Sequence, residues 1–469
     1  MSVLWTAAEA AAATGGHAGG DWSAEGVSID TRTVAPGDLF IALQGPNFDG
    51  HLFVADALAR GAAAALVSRV PDNVAENAPL LLTGDTLEAL TALGAAARLR
   101  SAATFIGVTG SVGKTGIKEA LRQALEPLGP VMASAGSLNN HWGVPLTLAR
   151  MPRDLAFGVV EMGMNHAGEL GPLSRIARPD VALITTIEPA HIGNFASVEE
   201  IADAKAEIFE GLEDGGAVIL NRDNPYFPRL AKAASRRGID RIIGFGVDEA
   251  AEARLLDCRL LPSSSAVTAS ILGEEITYSV GIPGEHWVLN SLAVLAAVAA
   301  AGGDILEAAR ALGRLQALAG RGRRHLVRGI TLFDESYNAS PASMRAAIGV
   351  LGAANLGSGG RRIAVLGAML ELGAESARLH AELSEPLQEA DVDLVFTVGP
   401  EMEALQAVLP ETMRGAHTAT AAEMAALLPK ILRSGDAVTV KGSNGSRMAV
   451  IVEQLLSDPD APASRVLLD

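Results

Sequence analysis

The sequence is poor in the residues that would place it in several common classes of protein. A single cysteine, Cys258, excludes an internal disulfide and a cysteine cluster for zinc. No Lys or Arg precedes Arg32, so the N-terminal stretch lacks the basic segment of a signal peptide. The longest apolar run, residues 291–301, is too short to cross a bilayer. We therefore expect a cytoplasmic protein without membrane insertion.

Aromatic residues and positive charge are also scarce. Aromatics make up 4% of the chain while alanine and glycine abound, a composition that suits close packing of helices on a sheet. The 37 basic residues are outnumbered by 54 acidic ones, and the net charge of −17 argues against a nucleic-acid partner. With 469 residues, of which 49% are hydrophobic, the chain is predicted to be globular and to form two to four domains.

One stretch, residues 104–121, carries the strongest chemical signal. An apolar run from Phe105 to Val108 predicts a buried strand, a turn with two glycines follows at 110–113, and a helical pattern begins at Lys114. Strand, glycine turn and helix together point backbone N–H groups at a phosphate. Lys114 would then reach the terminal phosphates, and the Thr115 hydroxyl would bind a magnesium ion. Because position 108 is valine and not the glycine of the strict motif, a glycine-rich turn with a solvated lysine is the alternative.

Two further predicted strands end near side chains that bind metals. The run 157–161 ends on Glu161, and the run 180–187 leads into His191. Ligands of parallel sheets bind beyond the carboxyl ends of the strands, so both side chains are expected beside a phosphate-bound metal. Oxygen ligands with one imidazole suit magnesium or manganese better than zinc. The alternatives are a helix cap or ion pair for Glu161 and a structural role for His191.

Several helices are predicted from apolar spacing. They cover residues 4–14, 85–100 with Thr86 as the N-cap, 201–212, and a segment from Asn290 to about residue 301. Lys205 lies beside the apolar face of its helix, and taken alone it would be interpreted as a solvated lysine. Asn290 would serve as an N-cap at its helix start unless it has a ligand to bind.

The alternation of strands and helices predicts an α/β protein of three domains. Residues 1–82 form a small N-terminal α/β domain, and 83–318 a central domain with a doubly wound, mostly parallel sheet around the phosphate loop. The central domain begins with a linking helix over 83–100, and residues 319–469 form a C-terminal Rossmann-like α/β domain. In the first domain, Thr31 and Arg32 at a strand end and the segment Asp49-Gly50-His51 are candidates for holding a phosphate-bearing ligand. An ordinary turn with a surface arginine is the alternative.

Taken together, these motifs resemble those of the Mur ligases, and within them the MurF type. The resemblance extends over nearly the whole chain and includes the shortened phosphate loop, which is the family's own variant. It rests on Asp30-Thr31-Arg32, PGDLFIALQGPNFDGH at 36–51, Thr109 to Thr115, Asn139-Asn140, Glu161-Met162-Gly163, Pro189-Ala190-His191, Lys205, Asn290, Gly320-Arg321, Tyr337-Asn338 and Lys441-Gly442-Ser443.

The resemblance implies an ATP-dependent ligase of peptidoglycan precursor synthesis. Such an enzyme joins D-alanyl-D-alanine to UDP-N-acetylmuramoyl-tripeptide (UDP-MurNAc-tripeptide) through an acyl phosphate, with ATP and Mg²⁺, and we expect a monomer. Catalytic roles are implied for Lys114, Glu161, His191 and a carbamylated Lys205. The implied metal ligands are Thr115, Glu161, His191 and Lys205. The implied nucleotide contacts are Thr109, Gly110, Ser111, Val112, Gly113, Lys114, Thr115, Gly116, Asn290, Arg321, Asp334 and Asn338. The implied contacts to the UDP-linked substrate are Thr31, Arg32, Gly45, Asp49, Gly50, His51, Asn139 and Asn140.

The chain departs from the family's usual pattern at several positions. Gly116 stands where a hydroxyl residue is usual, and Glu335 where a second aspartate is common. Ala368 replaces an aspartate, and His141-Trp142 a Glu-Ile pair. The segment Asp223-Asn224-Pro225 is similar to the diaminopimelate motif of the MurE type but lies in the wrong domain. Two other functions remain open: a ligase like folylpolyglutamate synthetase, which needs no domain ahead of the phosphate loop, and a nucleotide-switched binding protein that hydrolyses ATP slowly.

Overall fold

The computed structural model describes residues 3–189 and 192–457 and the backbone of residues 465–466. Three successive parts of the chain each form a main sheet with its own hydrophobic core, and helices cover the faces of the two larger sheets. The predicted α/β class is therefore confirmed. Among the described residues, no helix combines the length and the apolar character that a membrane span requires.

The N-terminal part forms a sheet of five short strands in the order β2-β9-β8-β5-β4. Strands β4, β5, β8 and β9 pair in parallel, and β2 adds to β9 antiparallel. Gly94 lets the last helix of this part approach the central part closely, because a Cβ at Gly94 would lie 2.8 Å from the Pro145 carbonyl oxygen. The strands of this part are β1 Trp5–Thr6, β2 His17–Ala18, β3 Ser23–Ala24, β4 Gly26–Ser28, β5 Asp38–Ile41, β6 Gln44–Gly45, β7 Phe48–Asp49, β8 Ala64–Val67 and β9 Leu80–Leu82, and the helices are α1 Ala7–Thr14, α2 Val54–Ala59 and α3 Thr86–Arg100.

The central part forms a sheet of nine strands in the order β11-β12-β10-β13-β14-β15-β16-β17-β18. The first seven, from β11 to β16, pair in parallel, and β17 and β18 extend the sheet antiparallel. Its strands are β10 Thr104–Thr109, β11 Val131–Ala133, β12 Phe157–Glu161, β13 Val181–Ile184, β14 Ala217–Asn221, β15 Arg241–Gly246, β16 Ala253–Leu260, β17 Ser265–Ile271 and β18 Glu274–Val280. Its helices are α4 Lys114–Leu125, α5 Gly143–Ala149, α6 Leu170–Ala177, α7 Val198–Ala206, α8 Phe227–Arg236, α9 Glu285–Ala300 and α10 Ile305–Leu312.

Strand β10 lies between β12 and β13, where the strand order reverses direction. Its side chains alternate between the two cores of the central sheet: Ile106 and Val108 face the helices α4 and α9, and Phe105 faces the opposite core. In an open α/β sheet this switch point is where ligands bind. The loop after β10 therefore opens at the ligand-binding edge of the sheet.

The C-terminal part forms a sheet of seven strands in the order β23-β22-β21-β24-β20-β19-β25. The five strands from β23 to β20 are parallel, and β19 and β25 are antiparallel additions. Its strands are β19 Arg323–Val327, β20 Ile330–Glu335, β21 Arg362–Gly367, β22 Leu394–Val398, β23 Arg414–Thr418, β24 Ala437–Lys441 and β25 Arg465–Val466. Its helices are α11 Pro341–Gly352, α12 Ser376–Ala381, α13 Ser384–Glu389, α14 Glu403–Val408, α15 Ala421–Leu427 and α16 Ala449–Leu456.

The starts of four helices, α1, α3, α7 and α9, differ from the prediction. Helix α3 is capped by Asp85, whose carboxylate accepts the backbone N–H groups of residues 87 and 88 at 2.7 and 2.8 Å, so Thr86 as the N-cap is wrong. A carboxylate stabilises the positive end of the helix more than a hydroxyl does. Helix α1 begins at Ala7, because Trp5 and Thr6 pair with residues 23–24 as a strand.

Asn290 does not start its helix. Helix α9 begins at Glu285, directly after Gly284, and Asn290 lies in its second turn. The first turn of α9 was missed because His286 and Trp287 face the cleft described below and so break the apolar spacing of a buried helix face. The helix predicted over 201–212 is split into α7 and a 3-10 turn, Glu207–Gly211.

Candidate active site

A cleft of about 710 Å³ separates the carboxyl ends of the strands of the central sheet from those of the C-terminal sheet. The described residues that line it come from the central and C-terminal parts of the chain. They include Ser111 to Gly116, Ser137, Asn139, Glu161, Trp287, Asn290, Arg321, Glu335, Tyr337, Asn338 and Lys441. Most of the residues that the sequence proposes for the nucleotide thus come together in one place.

The loop after β10 has the geometry of an anion site. Gly110 and Gly113 have φ values of +145° and +85°, which favour glycine, and a Cβ on Gly110 would lie 1.8 Å from the Thr185 hydroxyl oxygen. The backbone N–H of Ser111 donates to Thr186 O at 2.9 Å, which fixes the loop against the end of β13. Helix α4 starts immediately afterwards at Lys114, so its N-terminus faces the cleft. The glycine missing at position 108 is not needed, because Val108 lies inside β10.

Lys114 folds back over this loop. Its Nζ donates to Gly110 O at 2.7 Å, and the side chain lines the cleft. Burial lowers the pKa of Lys114, the nearby Glu161 carboxylate counteracts this, and Arg321 adds to the lowering. The ammonium therefore lies beside the loop where phosphate oxygens would replace the carbonyl as its acceptor. The alternative of a solvated lysine does not describe this side chain.

Glu161 ends β12 with one carboxylate oxygen satisfied and the other free. Its side chain is 1% exposed, and Oε1 accepts the Asn139 amide at 2.8 Å. Oε2 is buried and has no hydrogen-bond partner among the described residues. A buried carboxylate oxygen costs free energy unless a partner compensates for it. An orphaned oxygen beside a phosphate loop fits a hard divalent cation such as Mg²⁺.

No three His, Cys, Asp or Glu side chains come together as a metal cluster within the described part of the chain. His191, the proposed imidazole ligand, lies outside the described residues. The described donors that fit a magnesium ion are Glu161 and the hydroxyl of Thr115, which is 6% exposed at the start of α4. Such a site would be completed by phosphate oxygens, as is usual for Mg²⁺ bound with a nucleotide.

Lys205 is buried and is not the solvated lysine of the alternative interpretation. It lies in α7 with 3% of its surface exposed. Burial, reinforced by repulsion from Lys114, lowers the pKa of Lys205 well below its usual range. No carboxylate of the described residues counteracts this shift. Lys205 is therefore an amine without compensating charge, close enough to Lys114 for the two to repel each other.

The C-terminal part brings Arg321 and Tyr337 to the cleft. The Arg321 guanidinium stacks 4.1 Å from the centre of the Tyr337 ring. The Tyr337 hydroxyl lies 2.6 Å from Ser137 Oγ of the central part, so this contact bridges the two sides of the cleft. Asp334 has a different position from the one expected: it is buried and accepts Gly320 N at 2.7 Å and the Ser336 hydroxyl at 2.6 Å. It holds the turn that presents Arg321 and is not among the described residues that line the cleft.

Two charged residues of the cleft were not selected from the sequence as site residues. Lys441 donates to Asn338 O at 2.9 Å, and its Nζ lies 3.4 Å from Glu335 Oε2. The two are register partners at the ends of the adjacent parallel strands β20 and β24. The signal that could have identified them is the one used for Glu161, a charged residue at the carboxyl end of a strand.

The candidate residues of the N-terminal part form two groups away from the cleft lining. Arg32 pairs with Asp30 at 2.6 Å in an exposed turn that also holds Thr31. Asp49 binds the buried ring of His51 at Nδ1, 2.7 Å away, and the guanidinium of Arg69. Gly50 is required by close packing, because a Cβ there would lie 2.6 Å from Leu43 O, and Gly45 lies in β6 of the adjoining hairpin. Ionic and hydrogen-bonded groups are present in both groups, and none of these residues is among the described residues that line the cleft.

Asn139 and Asn140 have separate roles in the loop between β11 and α5. Asn139 reaches Glu161, whereas the Asn140 side chain accepts Gly143 N at 2.9 Å, where α5 begins. This loop is tied to helix α4 by Lys118, which is fully buried. Lys118 Nζ donates to Ser134 O at 2.6 Å and to Gly136 O at 2.9 Å. The helix that starts at the phosphate loop therefore also anchors the loop that orients Glu161.

We predict that Lys118→Met lowers the free energy of unfolding by about 3 kcal/mol, because two buried carbonyl oxygens lose a charged donor. Urea denaturation measures the change. The matched control is Lys232→Met on the exposed face of α8, which should leave the stability within about 0.5 kcal/mol of the parent. Equal stability of the two variants would contradict the anchoring role of Lys118.

Family models match the chain in three successive segments. They are described as Mur ligase family, catalytic domain over residues 23–85, Mur ligase middle domain over 108–298, and Mur ligase, glutamate ligase domain over 313–444. A relative from Rickettsia prowazekii named UDP-N-acetylmuramoyl-tripeptide–D-alanyl-D-alanine ligase is 32% identical, over 96% of this chain and 99% of the relative.

The chain belongs to the Mur ligase family.

Further relatives and solved structures are of the MurF type. The Escherichia coli protein with the same name as the Rickettsia relative is 34% identical over 93% of this chain and 95% of its own. A crystal structure of MurF from Acinetobacter baumannii superposes with a TM-score of 0.85 and 31% identity, covering 96% of this chain and 98% of the other. MurF from Thermotoga maritima in complex with ADP superposes with a TM-score of 0.76 and 28% identity, covering 92% of this chain and 96% of the other. Within the Mur ligases the chain is of the MurF type, and ATP use and the three-domain fold follow from the family.

Proposed function

We propose that the protein joins D-alanyl-D-alanine to UDP-MurNAc-tripeptide at the expense of ATP in peptidoglycan precursor synthesis. The observation that carries the proposal is the cleft in which a phosphate loop with Lys114 and the orphaned Glu161 carboxylate face the C-terminal strand ends. The names of the relatives supply the substrates. The match of the first family model to residues 23–85 favours this reaction over a ligase like folylpolyglutamate synthetase, which needs no such domain.

The reaction needs activation because a carboxylate is a poor acceptor for an amine. Transfer of the terminal phosphoryl group of ATP to the carboxylate of the tripeptide gives an acyl phosphate, which has a good leaving group. Lys114 and the backbone N–H groups of the loop would stabilise the negative charge on the transferring group. Mg²⁺, when held by Thr115 and Glu161 and by His191, would supply further charge neutralisation. Attack by the amine of the dipeptide then forms the amide and releases phosphate.

We propose that Lys205 reacts with carbon dioxide to form a carbamate. A neutral amine is the form that attacks carbon dioxide, and burial favours the neutral form of Lys205. Attack forms the N–C bond and releases one proton from the amine, so the carbamate carries a negative charge and the repulsion between Lys205 and Lys114 would become attraction. The carbamate oxygens would also be suitable ligands for Mg²⁺.

We assign one substrate to each of the three proposed domains. Residues 1–82 would bind the UDP-linked substrate through Thr31, Arg32, Gly45, Asp49, Gly50 and His51, with Asn139 and Asn140 from the central domain. Residues 83–318 would bind ATP, together with Arg321 and Asn338 from across the cleft, while Asp334 would act by holding the turn that presents Arg321. Residues 319–469 would bind the dipeptide. The Tyr337–Ser137 contact supports an arrangement in which the two sides of the cleft close around the reactants and exclude water. A monomeric state and a cytoplasmic location remain predictions.

The deciding experiment measures phosphate release from ATP with and without each substrate. We expect release that requires both UDP-MurNAc-tripeptide and D-Ala-D-Ala, with the pentapeptide product detected by mass spectrometry. Release that needs neither substrate would support the nucleotide-switched binding protein instead. Release with UDP-MurNAc-tripeptide and a different amine only would retain the ligase but reject the dipeptide.

A further inference from the structure

The wall of the cleft next to the phosphate loop carries an aromatic side chain that none of the roles above uses. Trp287 lies in the first turn of α9 and lines the cleft, one helical turn before Asn290. Asn290 in turn faces the loop, because its Oδ1 is 3.7 Å from the position of a Cβ on Gly113. Trp287 and Asn290 therefore lie on the same side of α9, directed at the start of α4.

Gly116 provides the space that Trp287 occupies. A Cβ at Gly116 would lie 3.0 Å from Cη2 and 3.3 Å from Cζ2 of the indole, closer than ordinary van der Waals contact. Gly116 is two residues after Lys114, in the first turn of the helix whose N-terminus would bind the phosphates. Gly116 thus lies directly against a large aromatic neighbour.

The position of Trp287 relative to the phosphates indicates what it would contact. A nucleotide whose phosphates bind at the N-terminus of α4 must place its ribose and base elsewhere in the cleft. Trp287 and Leu289 line the cleft on the side of that terminus, whereas the opposite wall carries the charged Arg321, Glu335 and Lys441 together with Tyr337 and apolar side chains such as Leu370. Flat heteroaromatic bases stack favourably on aromatic side chains.

We propose that the Trp287 indole forms the wall against which the nucleoside part of ATP packs, and that Gly116 makes room for it. Trp287 is then a specificity-determining residue for the nucleotide. The inference rests on the proposed binding of ATP in this cleft.

The test compares MgADP with inorganic tripolyphosphate, which has phosphates but no nucleoside. By titration calorimetry, we expect Trp287→Ala to weaken MgADP binding about 10-fold, the size of effect seen when one stacking partner is removed. Its affinity for tripolyphosphate should be unchanged. Trp287→Phe keeps an aromatic ring and should retain most of the ADP affinity. Thermal unfolding of both variants shows whether the fold is intact.

Tryptophan fluorescence gives an independent readout. The other three tryptophans, Trp5, Trp22 and Trp142, pack in or against the N-terminal core cluster. ADP should therefore change the emission of the parent and of the control Trp22→Phe, but not of Trp287→Phe. Gly116→Ala should weaken ADP binding several-fold in the parent and have no effect in Trp287→Ala, because the two residues act through one contact.

Three results would overturn the inference. They are equal ADP affinity of the parent and Trp287→Ala, equal weakening of ADP and tripolyphosphate, and an ADP-induced emission change that survives in Trp287→Phe. Failure of the parent itself to bind ADP by calorimetry would reject the proposed function, and the inference with it.

Discussion

Replacing Lys205 by alanine should lower the ligase kcat by about 10²–10³-fold, the range found when a group that stabilises developing charge is removed. The buried amine has no compensating carboxylate among the described residues and is repelled by Lys114, an arrangement that a carbamate would reverse. Steady-state assays with saturating substrates measure the loss. Because the shortened side chain leaves a space, added formate or acetate should restore part of the activity of Lys205→Ala by supplying the missing carboxylate.

Two further measurements make this prediction specific. Carbon-13-labelled bicarbonate should give a carbamate resonance in the parent protein that is missing from Lys205→Ala. The control Lys232→Ala on the exposed face of α8 should keep full activity and show no response to formate. The carbamate hypothesis is wrong if Lys205→Ala retains the activity of the parent. It is also wrong if Lys205→Ala is inactive, no small carboxylate restores its activity, and the parent shows no labelled carbamate resonance.

Replacing Glu161 by glutamine should lower kcat/KM by about 10²-fold or more and raise the Mg²⁺ concentration needed for half-maximal activity. The two side chains have the same shape, so the fold should persist. Oε2 is the buried oxygen without a partner, and a neutral amide in its place offers the cation a much weaker ligand. Mg²⁺ titrations of the activity at fixed ATP measure the shift, and Mn²⁺ binding followed by electron paramagnetic resonance measures metal affinity without turnover.

The matched control is Glu249→Gln, whose side chain is 93% exposed and is not among the described residues that line the cleft. It should leave both the rate and the Mg²⁺ dependence unchanged. A Glu161→Gln variant with the parent's Mn²⁺ affinity and Mg²⁺ dependence would show that Glu161 is not a metal ligand. In that case the Asn139 contact would be its main role.

Much of the central site follows from the sequence, because its signals are local. The loop from Gly110 to Thr115 is indicated by an apolar strand followed by a glycine turn, and the position of Glu161 by an apolar strand that ends on a carboxylate. Parallel strands bring their carboxyl ends to one edge of the sheet whatever the rest of the chain does. The proximity of Glu161 to the phosphate loop could therefore be predicted from the strand assignment alone. The same logic holds for the α/β class, since alternating strands and helices leave few ways to bury both sheet faces.

Other features depend on distant contacts and could be decided only by the tertiary structure. The burial of Lys205 depends on packing of α7 against the central sheet, and helical spacing alone places it only beside the apolar face. Asp334 and Glu335 are adjacent in sequence, yet one holds the Gly320 turn and the other faces the cleft with Lys441, because side chains alternate along a strand. Gly116 and Trp287 lie 171 positions apart in the numbering, and the reason for a glycine at position 116 became apparent only where α9 crosses the start of α4. The sequence by itself thus determined the chemistry of the phosphate loop and the class of fold, since both arise from short-range patterns. The environment of each charged side chain required the folded structure, since burial and partners are set by residues far away in the chain.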